Sequence, residues 1–171
     1  VRDPVHQRHS ILQCLDQGAD GIVVPHIETE KDIKKLIQIS YYPPIGERSF
    51  SPYTNSGDYG KHKSDLFASI INNKQLMILI IESVQGMENL KYILESFSAY
   101  IDVIYFGAYD LSADMGYIGK PNHCKVVELI RNGLRNCRTH NIAAGGYVPK
   151  TINEVHELIE MGFKLITYNV D

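Results

Sequence analysis

The chain has 171 residues, of which 44% are hydrophobic and 22% are charged, and its formal net charge is −3. This length is enough for one domain with a sizeable core, so we treat residues 1–171 as a single domain. The charge is not basic enough for a nucleic-acid-binding surface, and no apolar run reaches the roughly 20 residues that a membrane helix needs. Three cysteines without a C-x-x-C spacing favour a reduced, cytoplasmic setting over a disulfide framework or a zinc site.

Both ends of the chain have unusual sequences. The chain begins at Val1 rather than at Met, and it ends at Asp171 directly after an apolar run. Val1 and Arg2 are interpreted as the last two residues of a strand whose start is absent. The sequence therefore predicts a chain that is trimmed at both ends.

Helical and extended patterns alternate along the chain. Apolar residues recur at helical spacing in seven segments, which are residues 4–17, 29–39, 61–73, 87–97, 110–115, 121–139 and 151–161. Short apolar runs predict strands at residues 21–25, 77–81, 102–106, 142–147 and 164–168. Residues 40–60 are rich in Pro, Gly and Tyr and are predicted to form a long loop.

This alternation of strands and helices requires a parallel sheet, with six strands if the stub at Val1 is counted. Two architectures remain open at this point. An open doubly wound sheet fits 171 residues, but the chain has neither a G-x-G-x-x-G motif nor a P-loop. A (β/α)8 barrel typically has about 250 residues, so this chain would supply six strands of eight.

Two of the predicted strands are each followed by an acidic residue. Glu82 comes directly after the run at 77–81, and Asp110 follows the run at 102–106 after a short turn. In a βαβ unit both strands point the same way, so the two carboxylates emerge at one edge of the sheet, on strands roughly 4.8 Å apart. They are candidate ligands for one hard divalent cation, although each could instead be an ordinary acidic residue at a helix start.

Other polar residues carry weaker signals. His26 follows Pro25 directly at a predicted strand end, so it either faces the same edge or is a simple loop histidine. A Schiff-base lysine would have to follow a strand, whereas Lys164 precedes one. The lysine positions therefore argue against a class I aldolase.

The chain resembles the HpcH/HpaI-type class II pyruvate aldolases, the family of 4-hydroxy-2-oxoheptanedioate aldolase. The resemblance lies in a Tyr-Pro-Pro-x-Gly-x-Arg run at 42–48, an Asp-Leu-Ser-Ala-Asp-Met-Gly run at 110–116, and shorter matches at 16–25, 81–82 and 161–163. These stretches are collinear and cover essentially the whole chain. The resemblance implies a TIM-type (β/α)8 barrel, truncated so that strands three to eight are present.

The resemblance also implies a site. Glu82 and Asp110 match the family's metal ligands, Arg2 matches an arginine that contacts the ketone oxygen of pyruvate, and amides around Ala108, Tyr109 and Asp110 match those that receive the pyruvate carboxylate. The implied cofactor is Mg²⁺ or Mn²⁺, with Co²⁺ as a further candidate. The implied partners are a 2-oxo acid and an aldehyde, with no nucleic acid or membrane, and a homo-oligomer is expected.

The chain departs from the family pattern near the site. Ile80 stands where the family usually has Gln, and the Gly-Pro-Ala-Asp turn is replaced by Gly-Ala-Tyr-Asp at 107–110. The family's catalytic histidine lies on strand two, which this chain does not contain. These departures bear on the identity of the substrate more than on the metal.

The leading interpretation is a carbon–carbon lyase that forms or cleaves a bond next to pyruvate or a related 2-oxo acid through a metal-stabilised enolate. Two alternatives stay open. One is a citrate-lyase-like enzyme that acts on a CoA ester, and the other is a non-catalytic barrel relic that serves in assembly.

Overall fold

A computed structural model describes residues 8–61 and 64–168. Arg2 lies outside the described residues, as does the strand predicted to end there. The elements alternate as the sequence predicts. The helices are α1 (Arg8–Asp16), α2 (Glu30–Ser40), α3 (Ser64–Lys74), α4 (Val84–Phe97), α5 (Ala108–Asp114), α6 (Cys124–Thr139) and α7 (Ile152–Met161). The strands are β1 (Gly21–Val24), β2 (Leu76–Ile81), β3 (Val103–Phe106) and β4 (Ala143–Gly146).

The four strands form one parallel sheet in the order β1-β2-β3-β4, so each strand pairs with the next one along the chain. A doubly wound sheet reverses its strand order at a switch point, whereas a barrel adds strands sequentially. The observed order has no reversal. The sheet is therefore a segment of a TIM-type barrel, as the resemblance implied.

One face of the sheet carries the core. Alternate strand residues point to this face and are fully buried, among them Ile22, Leu79 and Ile104. Helices α1, α2, α4 and α6 pack side by side and contribute much of the rest of this apolar cluster. Strand residues on the opposite face, such as Val23 and Tyr105, are only half-buried.

Local signals explain where several helices begin. Thr29 and Asp32 form a capping box at the start of α2, in which the Asp32 carboxylate accepts the Thr29 backbone N–H at 2.8 Å. Ser83 caps α4 by accepting the Gly86 N–H. The apolar stripe predicted for α4 is confirmed too, and its members are buried, namely Met87, Leu90, Ile93, Leu94 and Phe97.

The predicted loop from residue 40 to residue 60 is anchored by a buried arginine. Arg48 donates to the Asp16 carboxylate at 2.7 Å, and its guanidinium lies 4.5 Å from the centre of the Tyr42 ring. The Arg48 side chain is buried, whereas that of Asp16 remains partly exposed. The Tyr-Pro-Pro-x-Gly-x-Arg run thus docks this loop onto the end of α1.

Three predictions about elements are wrong in detail. Residues 164–168 do not form a regular strand, because they bridge to β4 only at Leu165. The sequence of β4 is Ala-Ala-Gly-Gly, which offers little side-chain surface for cross-strand packing. The described residues therefore contain four regular strands rather than the five predicted within them.

The other two corrections concern helices. Helix α6 begins at Cys124 rather than at Pro121, since His123 has an extended backbone and acts as the N-cap. Both Leu158 and Ile159 belong to the apolar pattern that predicts a helix over 151–161, but in α7 only Leu158 is buried and Ile159 is 54% exposed. Across the two described ranges, no helix combines the length and apolar character needed to cross a membrane.

Candidate active site at the carboxyl ends of β2 and β3

Glu82 lies one residue beyond the end of β2, where Ile81 pairs in register with Phe106 of β3. Its side chain is only 3% exposed. A carboxylate is held there because the backbone N–H of His26 donates to its Oε1 atom at 3.0 Å. The structure therefore places Glu82 at the carboxyl edge of the sheet and not on the exposed surface of a helix.

Asp110 lies on the first turn of α5, the short helix that follows β3. It is exposed, in contrast to Glu82. Burial raises the pKa of the Glu82 carboxyl above its ordinary value, and the charge of Asp110 and a side-chain hydrogen bond between the two carboxyls raise the pKa further. The amide and imidazole of His26 act in the opposite direction. The two acids thus lie close enough to interact directly.

Gly107 makes the close approach of Glu82 to the start of α5 possible. A side-chain carbon added at this residue would lie 2.6 Å from Cβ and 2.8 Å from Oε2 of Glu82. The Gly107 N–H donates to the carbonyl oxygen of Ile81 at 3.0 Å, which seats the turn against the end of β2. The missing side chain leaves room for the Glu82 carboxylate beside the start of α5.

The first residues of α5 provide backbone amides at the same edge. Gly107 is the N-cap and has no side chain to cover the first amides of the helix. Ala108 is buried and Tyr109 is half-exposed, so the tyrosine ring lies on the solvent side of the turn. Amides at a helix N-terminus favour anionic groups.

Asp114 connects α5, which carries Asp110, to the start of α4, which follows Glu82. Its Oδ2 atom accepts the Val84 N–H at 2.7 Å, so the end of α5 caps the start of α4, two residues after Glu82. Ser112 is fully buried and donates to the carbonyl oxygen of Tyr109 at 2.7 Å. Sequence reasoning noticed this run as a motif but did not assign these contacts to it.

A match to a known protein family shows which family this chain belongs to. The profile described as HpcH/HpaI aldolase/citrate lyase matches residues 1–171. The chain belongs to the HpcH/HpaI aldolase/citrate lyase family. The resemblance inferred from the sequence is thereby confirmed.

Relatives within the HpcH/HpaI family are named as aldolases. The chain is 26% identical over 162 residues to 2-keto-3-deoxy-L-rhamnonate aldolase of Escherichia coli strain K12, an alignment that covers 94% of the chain and 59% of that protein. It is 30% identical over 145 residues to hydroxypyruvate/pyruvate aldolase of Roseovarius nubinhibens, with 85% and 55% covered. The chain therefore spans somewhat more than half the length of these curated relatives.

A solved HpcH/HpaI structure has the same fold. The aldolase from Desulfitobacterium hafniense DCB-2 superposes with a TM-score of 0.90 at 25% identity, covering 100% of this chain and 65% of that one. The superposition extends over the whole sheet and its helices. It supports assigning the four strands to part of a larger barrel of this family.

Proposed function

We propose that the protein containing this chain is a divalent-metal-dependent lyase that forms or cleaves a carbon–carbon bond next to pyruvate or a related 2-oxo acid. The observation that carries the proposal is the pair of interacting carboxylates, Glu82 and Asp110, at adjacent strand ends in an aldolase family. The aldolases named above supply the reaction class.

The residues at this edge fit a hard divalent cation. Two carboxylates supply anionic oxygen donors, and the pKa of Glu82 is raised by burial first and by the neighbouring charge of Asp110 to a smaller extent. In the described residues, no group of three or more His, Cys, Asp or Glu side chains is arranged to hold a metal. Glu82 and Asp110 would thus leave most positions of an octahedral Mg²⁺ or Mn²⁺ to substrate and water, which is the pattern typical of Mg²⁺.

Each group in the site has a separate task in this proposal. Glu82 and Asp110 hold the cation, which when bound supplies Lewis-acid polarisation of the 2-oxo group. The amides of Ala108, Tyr109 and Asp110 receive and orient the substrate carboxylate. Arg2, outside the described residues, is assigned by resemblance to the oxygen that becomes negatively charged.

Exchange of the pyruvate methyl protons in D₂O, followed by NMR, tests the proposal because it requires proton removal but no aldehyde. The protein should be expressed in the longest form that its gene encodes and supplied with Mn²⁺. We expect exchange that a chelator stops. Glu82→Gln and Asp110→Asn should each abolish it, because a neutral amide oxygen is a weaker ligand for a hard cation.

The double variant should be little worse than the worse single variant, since losing either ligand already removes chelation. Glu88→Gln removes an equivalent charge from the exposed surface of α4 and serves as the matched control. Full exchange in the presence of chelator would refute the metal-dependent reaction. Exchange only with a CoA ester would favour the citrate-lyase-like alternative, and no exchange at all would favour a non-catalytic role.

A further inference from the structure

Two nitrogen atoms of one residue approach a single oxygen of Glu82. The backbone N–H of His26 donates to Oε1 at 3.0 Å, and the imidazole Nδ1 of the same residue lies 3.0 Å from the same oxygen. The Glu82 side chain is 3% exposed, whereas the His26 side chain is 69% exposed. His26 therefore covers one side of a buried carboxylate while most of its ring faces solvent.

The backbone around His26 is held from both sides. Ile27 is fully buried and donates its N–H to the Ile80 carbonyl oxygen, and Asn89 of α4 donates to the carbonyl oxygen of Glu28 at 2.8 Å. His26 itself has φ +54°, a left-handed conformation that is uncommon for a residue other than glycine. Such strain persists only where the surroundings enforce it, and it is concentrated at functional sites.

The other oxygen of Glu82 faces a different neighbour. Oε2 lies beside Gly107, at the start of the helix that carries Asp110. The contacts with His26 restrict rotation of the carboxylate, so one oxygen is held by the turn that follows β1 and the other is directed towards α5. Oε2 therefore lies on the side of Glu82 that faces the helix carrying Asp110.

We infer that His26 is a positioning residue, which holds Oε1 of Glu82 so that Oε2 is directed to a divalent cation shared with Asp110. This inference rests on the proposed function. It assigns the imidazole a role through Glu82 and not as a third ligand, in keeping with the lack of a three-ligand group among the described residues. A proton on Nδ1 makes the contact with the carboxylate attractive.

Mn²⁺ binding without substrate tests this role, with free Mn²⁺ measured from its EPR signal. The experiment uses the longest form of the protein and compares it with four variants. His26→Gly keeps the backbone amide and relieves the positive φ but removes the imidazole. Outer partners of metal ligands typically contribute 10- to 100-fold to metal affinity, so we expect this variant to weaken Mn²⁺ binding about 10-fold.

His26→Asn should restore the affinity to within about threefold, because Asn tolerates this backbone conformation and offers an amide N–H at a similar position. Asn141→Gly is the matched control, since Asn141 also has a positive φ but lies at the opposite end of the sheet, before β4. It should bind Mn²⁺ like the parent. Thermal unfolding of each variant separates loss of stability from loss of affinity.

Unchanged Mn²⁺ affinity in a folded His26→Gly variant, with a parent protein that binds Mn²⁺ and a Glu82→Gln variant that does not, would overturn the role of His26 alone. An equal loss in His26→Asn and His26→Gly would also overturn it. A parent protein that does not bind Mn²⁺ would instead refute the proposed metal site and this inference with it.

Discussion

A single missing side chain controls the geometry around Glu82. Gly107 has φ −78°, which any residue can adopt, so its value lies in the space it leaves and not in backbone freedom. That space is occupied by the Cβ and Oε2 atoms of Glu82. The sequence Gly-Ala-Tyr-Asp keeps this glycine although it departs from the family's usual turn.

We therefore predict that Gly107→Ala displaces Glu82 and weakens Mn²⁺ binding about 10-fold or more, on the scale expected for disturbing a metal ligand. The crowding should also cost about 1–3 kcal/mol of unfolding free energy. Gly116→Ala is the comparison, because an added carbon there meets nothing within 4 Å but φ is +80°. It should lose stability and retain Mn²⁺ affinity. A folded Gly107→Ala protein with the parent's affinity would contradict the prediction.

At the scale of elements, α5 carries Asp110 and contacts the start of α4, the helix that follows Glu82. Helix α5 has only seven residues, and its buried Leu111 and Ser112 fix it to the core while Asp114 caps α4. The Asp-Leu-Ser-Ala-Asp-Met-Gly run thus has a structural role, through its buried residues and Asp114, in addition to the proposed metal-binding role of Asp110. One acid of the run faces the site, and the other holds the helix that follows Glu82.

Asp114→Ala should lower the unfolding free energy by about 1 kcal/mol, the usual effect of removing a helix cap. It should also weaken Mn²⁺ binding, because the Val84 N–H it releases is two residues from Glu82. Thr151→Ala removes the cap of α7, where the Thr151 hydroxyl accepts the Glu154 N–H. That control should reduce stability similarly without affecting Mn²⁺, as measured by urea unfolding and EPR. Equal Mn²⁺ affinity in the two variants would show that the cap does not support the site.

The long loop also illustrates how an element depends on distant contacts. The sequence of residues 40–60 predicts a loop but not where it lies. The contact of Arg48 with Asp16 joins residues 32 positions apart and seats the loop on α1. Local composition carries no information about such a pairing.

At the scale of the whole molecule, several buried groups among the described residues resist ionisation. Burial raises the pKa of Tyr41 and of Tyr147 from 10.0 to about 12, and that of the Cys137 thiol from 9.0 to about 12. The unfolded chain loses these protons at lower pH than the folded protein. The stabilising effect is therefore fully present below the ordinary pKa values and is lost as pH rises towards about 12.

We predict that the unfolding free energy falls steadily from pH 8 to pH 11, as measured by urea titration at each pH. Tyr41→Phe should make this fall shallower, because it removes one of the groups with a raised pKa. Tyr53→Phe is the control, since Tyr53 is 76% exposed, and it should leave the slope unchanged. An identical slope in Tyr41→Phe and the parent would contradict the assignment to the buried phenol.

By itself, the sequence determined the alternation of strands and helices, the parallel sheet, the buried face of α4 and the position of both acids after their strands. These features follow from local periodicity and from the rule that parallel strands share a carboxyl edge. Residues 164–168 were predicted as a strand because their apolar pattern is that of a strand, whereas in the structure they pair with β4 only at Leu165.

Only the tertiary structure decided between a doubly wound sheet and a barrel segment, because the same alternating pattern is compatible with either order of strands. It also decided that His26 faces Glu82. These residues are 56 positions apart, and their contact depends on a left-handed backbone at His26 that the histidine side chain does not dictate. The contact exists because pairing of β1 with β2 brings the two strand ends together and the flanking bonds hold the turn in place.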